Sequence, residues 1–98
     1  GAVMAPACGD TIYKHLVNTK REVGYYDLIL SGDLGIYGKK MLVEYMKTEY
    51  NIDLKNYDDA ASMIYDIIIM KYKNTNTKCP TKYYKKIVMA RNSNLLLV

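Results

Sequence analysis

The residues best placed to do chemistry stand together at Gly32-Asp33-Leu34-Gly35-Ile36-Tyr37-Gly38-Lys39-Lys40, a glycine-spaced run between an apolar stretch and an amphipathic one. Glycines at this spacing free the backbone for positive φ and close approach, and amides at a helix start attract anions. A P-loop needs GxxxxGK followed by Ser or Thr, whose hydroxyl holds the metal. Here Lys40 stands in that place, and the dinucleotide spacing GxGxxG fails as well. Two readings remain: an anion-receiving turn using Gly32, Asp33, Gly35, Tyr37, Gly38 and Lys39, with Lys40 nearby, or a plain tight strand-to-helix connection.

The other candidates are weaker. Cys8 and His15 pair a thiol with an imidazole, the minimum for nucleophilic catalysis, and seven residues apart they share a helix face. Two turns separate them by about 10.5 Å along the axis, too far for a hydrogen bond. Asp58 and Asp59 are sequence neighbours, so their side chains are expected to diverge rather than share a proton or a metal. One His and no clustered Cys give no support for zinc, and no cofactor is implied.

These residues must be positioned by a small chain. Ninety-eight residues, 50% hydrophobic and 24% charged, describe one thin-cored soluble domain or a piece of a larger one. All eleven aromatics are tyrosines, whose hydroxyls suit half-exposed surfaces and interfaces. No basic segment followed by an apolar core opens the chain, so no signal peptide is expected, and Gly1 does not read as an intact start. The longest apolar stretch, 63 to 70, is broken by Asp66 and is far below the roughly 18 residues of a membrane span. Cys8 and Cys79 form no motif and read as reduced thiols. Residues 1 to 70 hold seven basic side chains against all ten acidic ones, net −3, while 71 to 98 hold the other seven basic residues and no acid, net +7. Such a tail either meets phosphates of lipid or nucleic acid or is simply solvated.

Pro6 inside a helix start and an apolar stripe Met4, Cys8, Ile12, Leu16 predict a helix over residues 5 to 18. Tyr25 to Leu30 reads as a buried strand ending at Gly32, and Met41, Leu42, Tyr45 and Met46 predict a helix from Lys39 to Tyr50. After a connector from Asn51 to Asn56, the Ile-rich residues 61 to 70 favour a strand, although their periodicity also permits a helix. Asn74 to Lys82 reads as loop, Tyr83 to Val88 as a further strand, and Asn92 to Asn94 as a turn. The order is α/β: helix, strand, helix, strand and a further strand.

Gly1-Ala2-Val3-Met4-Ala5-Pro6-Ala7 leading to Asp10-Thr11-Ile12, then Tyr26-Asp27-Leu28-Ile29, Ser31-Gly32-Asp33-Leu34-Gly35 with Gly38, and Met63-Ile64-Tyr65-Asp66 resemble successive landmarks of the stage V sporulation protein AD family. The resemblance covers about residues 1 to 66. It implies part of a thiolase-like layer, incomplete relative to the family fold, with a divergent basic tail over 67 to 98. The family shows Asp-Cys-Gly where this chain has Asp59-Ala60-Ala61, and beyond Asp66 only Lys85-Lys86-Ile87-Val88 keeps its pattern. An internal fragment or a disrupted reading frame is therefore expected.

The resemblance also implies function: a component that binds dipicolinic acid in a channel at the spore inner membrane of the forespore, peripherally attached, among other stage V sporulation proteins and without nucleic acid. Condensing enzymes of this fold use a Cys from another part of the chain with His or Asn from strand-end loops. The loop after Ser31 offers neither, so no enzymatic activity is expected. The alternative is a small basic binder of anionic lipid or nucleic acid unrelated to sporulation, its Tyr72, Tyr83 and Tyr84 stacking on bases. Taken from a larger fold, the segment should leave sheet faces uncovered and be marginal or self-associating.

Overall fold

A computed structural model describes residues 2–63 and 94–98. A 3-10 turn at Ala2–Met4 leads into helix α1, Ala5–Thr19. Pro6 sits in its first turn, where a missing N–H costs nothing. The helix closes on Lys20, whose φ of 55° takes the left-handed region, with the Lys20 and Arg21 amides donating to Val17 O and Leu16 O at 3.2 and 3.0 Å. Helix α2, Gly35–Tyr50, ends the same way at Asn51. The three strands are β1, Leu28–Ser31, β2, Tyr57–Asp59, and β3, Leu95–Leu97.

The strands form a parallel sheet in the order β2-β1-β3, with Ile29 opposite Tyr57 on one side and Leu96 on the other. Ile29 and Tyr57 belong to the core together with Ile12 and Leu16 of α1 and Leu42 and Met46 of α2. The helices lie side by side and point the same way: Gly9 lies under Tyr45 and Met46, and further along Tyr13 stacks on Tyr50 at 4.0 Å between ring centroids. Asp10, between them, accepts hydrogen bonds from the hydroxyls of Tyr45 (2.6 Å) and Tyr50.

The α/β class and both helices match the expectation, and the details differ for local reasons. The buried stripe of α1 is Ala5, Gly9, Ile12 and Leu16, while Met4 is exposed and Cys8 half-buried. Ile12 and Leu16 are buried as the stripe predicts, and the Tyr45 ring closes on the Cβ-less Gly9, which takes the core position beside Cys8. β1 starts at Leu28 rather than Tyr25, because Val23–Tyr25 forms a 3-10 turn. There the Arg21 guanidinium lies 4.5 Å from the centre of the Tyr25 ring, and Tyr26 is buried with its hydroxyl held by Arg21 and His15.

α2 starts at Gly35, four residues before Lys39; of the Ile-rich stretch 61 to 70, residues 61–63 continue a helix that begins at Ala60, the alternative its periodicity permits, and 64–70 lie outside the described residues. β2 occupies Tyr57–Asp59, just before that helix, at the end of the expected connector. β3 was not foreseen; it continues the sheet beyond β1, with the Asp27 amide donating to Asn94 O at 2.9 Å at its entry. The expected loop at 74–82, the strand at 83–88, the boundary after Asp66 and most of the turn at 92–94 lie outside the described residues.

Candidate functional site

In an open parallel sheet, ligands enter at the carboxyl ends of the strands where the connections part to either side. β1 is central here, and its carboxyl end leads into a crevice of about 490 Å3. Cys8 and Thr11 of α1, the segment Ser31 to Leu34, and Val98 after β3 line it.

One buried carboxylate organises this end of the sheet. Asp59, the last residue of β2, is fully buried and accepts from the Ser31 hydroxyl at 2.5 Å, the Leu34 and Gly35 amides at 3.0 Å each, and the Ser62 amide at 3.2 Å. It thereby caps two helical segments, α2 and residues 60–63, and joins both to β1. Because Ser31 spends its one proton on Asp59, its 2.6 Å contact with the Tyr57 hydroxyl must be one in which the phenol donates. Burial acts to raise the Asp59 carboxyl, but the Ser31 hydroxyl and the three amides outweigh it and hold the group below the usual carboxylate range. The Tyr57 phenol is pushed up, chiefly by burial and also by the Asp59 charge.

The six residues of the glycine-spaced run do not converge. Gly32 and Asp33 line the crevice, whereas the Gly35 amide, with φ +76°, is already bound to Asp59. Asp33 is exposed and caps nothing; the α2 cap comes from Asp59, 25 residues from Leu34. Tyr37 points to solvent, and Gly38 is buried within α2. Lys39 donates to Asp58 at 2.9 Å and faces a second hollow of about 410 Å3 with Ile36, Lys40, Val43 and Ser62.

Cys8 and His15 do not meet. The thiol faces the crevice, where burial and then the Asp59 charge push it up, while His15 Nε2 bonds the Tyr26 hydroxyl. Asp58 and Asp59 diverge, one to Lys39 and the other to the helix amides. Among the described residues no group of His, Cys, Asp and Glu could hold a metal ion, and no helix is long and apolar enough to cross a membrane. Asp59 is the residue that sequence reading undervalued. Its signal was local: an Asp directly before Ala60-Ala61-Ser62 is a helix N-cap pattern.

The model of the family described as Stage V sporulation protein AD matches residues 1–79, running past Asp66, where the resemblance had been expected to fade. The chain is also 39% identical over 66 residues to Stage V sporulation protein AD of Bacillus subtilis (strain 168), a stretch that covers 66% of this chain and 19% of that protein. The chain spans about a fifth of the length of this curated relative. On a match that runs through both helices, β1 and the Asp59 junction, the chain belongs to the Stage V sporulation protein AD family.

Proposed function

We propose that this chain is a non-catalytic segment of the dipicolinic acid-binding component of the spore inner-membrane channel, contributing one thiolase-like layer of it. The observation that carries this reading is the family match over residues 1–79. Membership of a sporulation family sets aside the basic binder unrelated to sporulation. Peripheral membrane attachment and contact with other stage V sporulation proteins belong to the same proposal.

The geometry supports a binding role over a catalytic one. The thiol in the crevice is shifted away from the reactive thiolate, and His15 is engaged elsewhere. Turnover of an acyl-coenzyme A thioester that vanishes in Cys8→Ala would overturn the non-catalytic part.

Dipicolinate is a planar dianion at neutral pH and needs amide donors or cations with a flat wall. With the Leu34 and Gly35 amides spent on Asp59 and Lys39 on Asp58, this chain alone offers it little. A salt-controlled titration of the 98 residues is expected to show no saturable binding below millimolar ligand. The decisive test grafts residues 1–66 in place of the matching stretch of the Bacillus subtilis relative, with the unmodified relative as control. A folded chimera that binds dipicolinate like the control supports the reading. One that folds and does not bind, beside a control that does, overturns it.

A further inference from the structure

Two tyrosine rings lie face to face across the helix pair. Tyr13 of α1 and Tyr50 of α2 have their centroids 4.0 Å apart and their planes within 5°, so ring carbons of one meet ring carbons of the other at van der Waals contact. The other tyrosine pairs among the described residues are built differently: Tyr25 with Tyr26 and Tyr45 with Tyr50 cross edge-on at 84° and 86°. Tyr50 is fixed at both ends, its ring on Tyr13 and its hydroxyl donating to Asp10, which stands one turn before Tyr13 on α1. Tyr13 is 38% exposed, so a small solute reaches the stack from solvent. None of these residues lines the crevice at the strand ends.

We propose that Tyr13 and Tyr50 form an oxidative cross-linking site, at which two equivalents of a one-electron oxidant join the rings into one biphenol and tie α1 to α2. The first equivalent takes an electron from Tyr50 while its phenolic proton passes along the existing hydrogen bond to the Asp10 carboxylate, leaving a neutral phenoxyl radical. A phenol that has lost an electron is a far stronger acid than a carboxylic acid, so that transfer runs downhill. The second equivalent takes an electron from Tyr13, whose proton goes to water. Each radical carries spin on the ring carbons beside its oxygen, and face-to-face contact is the approach that lets two such carbons pair. A carbon–carbon bond forms between the rings, the hydrogen on each bonded carbon moves to its own oxygen, and both phenols are restored. In sum two phenols lose two electrons to the oxidant and two protons to solvent, the one on Asp10 included. Tyr45 also donates to Asp10, at 2.6 Å, but it stands edge-on to Tyr50, so a radical begun there has no stacked ring to pair with. The tie restricts the unfolded chain as a disulfide does, which suits a domain with so thin a core.

The test treats the full chain, dilute enough to stay monomeric and carrying Cys8→Ser and Cys79→Ser so that no thiol consumes oxidant, with a haem peroxidase and limiting hydrogen peroxide. The expected product is a monomer lighter by two hydrogens, with the blue fluorescence of a biphenol, in which peptide mass spectrometry joins Tyr13 to Tyr50. Its urea midpoint should rise by about 2 M. Tyr13→Phe and Tyr50→Phe, which keep the ring and so the packing, should each abolish the product, whereas Tyr45→Phe should keep it; circular dichroism checks that every variant is folded. Asp10→Asn should slow the reaction several-fold, since the amide accepts no proton. Hydroxylated tyrosine without a cross-link, cross-links formed equally between other tyrosines or between molecules, or a yield indifferent to Tyr13→Phe overturns the proposal. An unchanged rate in a folded Asp10→Asn variant overturns the part given to Asp10, and an unchanged urea midpoint overturns the tie between the helices.

Discussion

Replacing Asp59 with alanine should remove the junction on which the sheet, α2 and helical residues 60–63 all depend. The native carboxylate is fully buried and accepts four hydrogen bonds, one from a hydroxyl and three from backbone amides. A hydrogen bond to a charged group contributes about 1.5–3 kcal/mol, and buried donors left without an acceptor add their own desolvation penalty. Water entering from the adjoining crevice recovers part of this, so the net loss should be about 3–5 kcal/mol, roughly 1 kcal/mol for each of the four neutral donors left behind. Against about 5–10 kcal/mol of total stability for a chain of 98 residues, the variant stands at the edge of unfolding.

Urea unfolding followed by far-ultraviolet circular dichroism at pH 7 measures the loss. With a slope near 1 kcal/mol per molar for so small a protein, the midpoint should fall by about 3 M or more. Asp59→Asn provides the pH arm. The folded carboxyl lies below its unfolded value, so its stabilisation is complete above the ordinary carboxylate value of about 4 and disappears as pH falls through the folded value. The native protein should therefore lose stability on acidification more steeply than the Asn variant, whose amide titrates nowhere. A loss under about 1 kcal/mol in the Ala variant, or parallel pH profiles for native and Asn proteins, would refute the role given to this residue.

Gly9→Ala places a Cβ 2.6 Å from Tyr45 Cδ1 and 3.2 Å from Met46 Sδ, so despite the better helix propensity of Ala it should lower stability by about 1–2 kcal/mol, read as a drop in Tm. Gly35→Ala has open space around it but a φ of +76°, and should cost about 1–2 kcal/mol in urea unfolding through backbone strain alone. In a Cys79→Ser background, Cys8 should react with iodoacetamide at pH 8 at least several-fold more slowly than a free thiol, since burial and the Asp59 charge both disfavour its thiolate. Among the described residues Asp33 is the only charged side chain lining the crevice, and at about 7 Å it would repel a dianion by about 1–2 kcal/mol; Asp33→Asn should strengthen dipicolinate binding by roughly tenfold in titration, wherever in the family that crevice is complete.

Both helices were legible because their apolar positions recur at helical spacing, and α1 was placed within one residue of its end. Ile12 and Leu16 of its stripe are buried as expected; Gly9 was missed because it is buried for its smallness, which a hydrophobic pattern does not register. The strands were harder. β2 has three residues, and what holds Tyr57 and Asp59 extended is pairing with Ile29 and Ser31, far away in sequence. Leu95-Leu96-Leu97-Val98 after Asn-Ser-Asn does carry a strand signal, but an apolar end following a basic stretch reads equally as tail. The glycine-spaced run is a strand-to-helix connection, the plainer of the two readings, and its Leu34 and Gly35 amides do face a carboxylate. The anion is the chain's own Asp59, brought there by the β1–α2–β2 crossover, and no local window contains both partners.

That substitution of an internal carboxylate for an external one governs what the site can do. An unsatisfied helix start would hold any anion, phosphate or carboxylate alike, whereas one closed by Asp59 is rigid, electrically quiet and indifferent to solute. Asp10 does the same between the helices, its carboxyl held low first by the Tyr45 hydroxyl and then by that of Tyr50. Both acids thus serve to hold elements together rather than to meet a ligand. Among the described residues, the polar groups left facing the crevice are Thr11, a reluctant thiol in Cys8, and the charge of Asp33. Under the proposed reading, the positive charge that dipicolinate needs comes from other parts of the family fold. Among the described residues, this region supplies the crevice with a wall whose one charged side chain, Asp33, works against an anion.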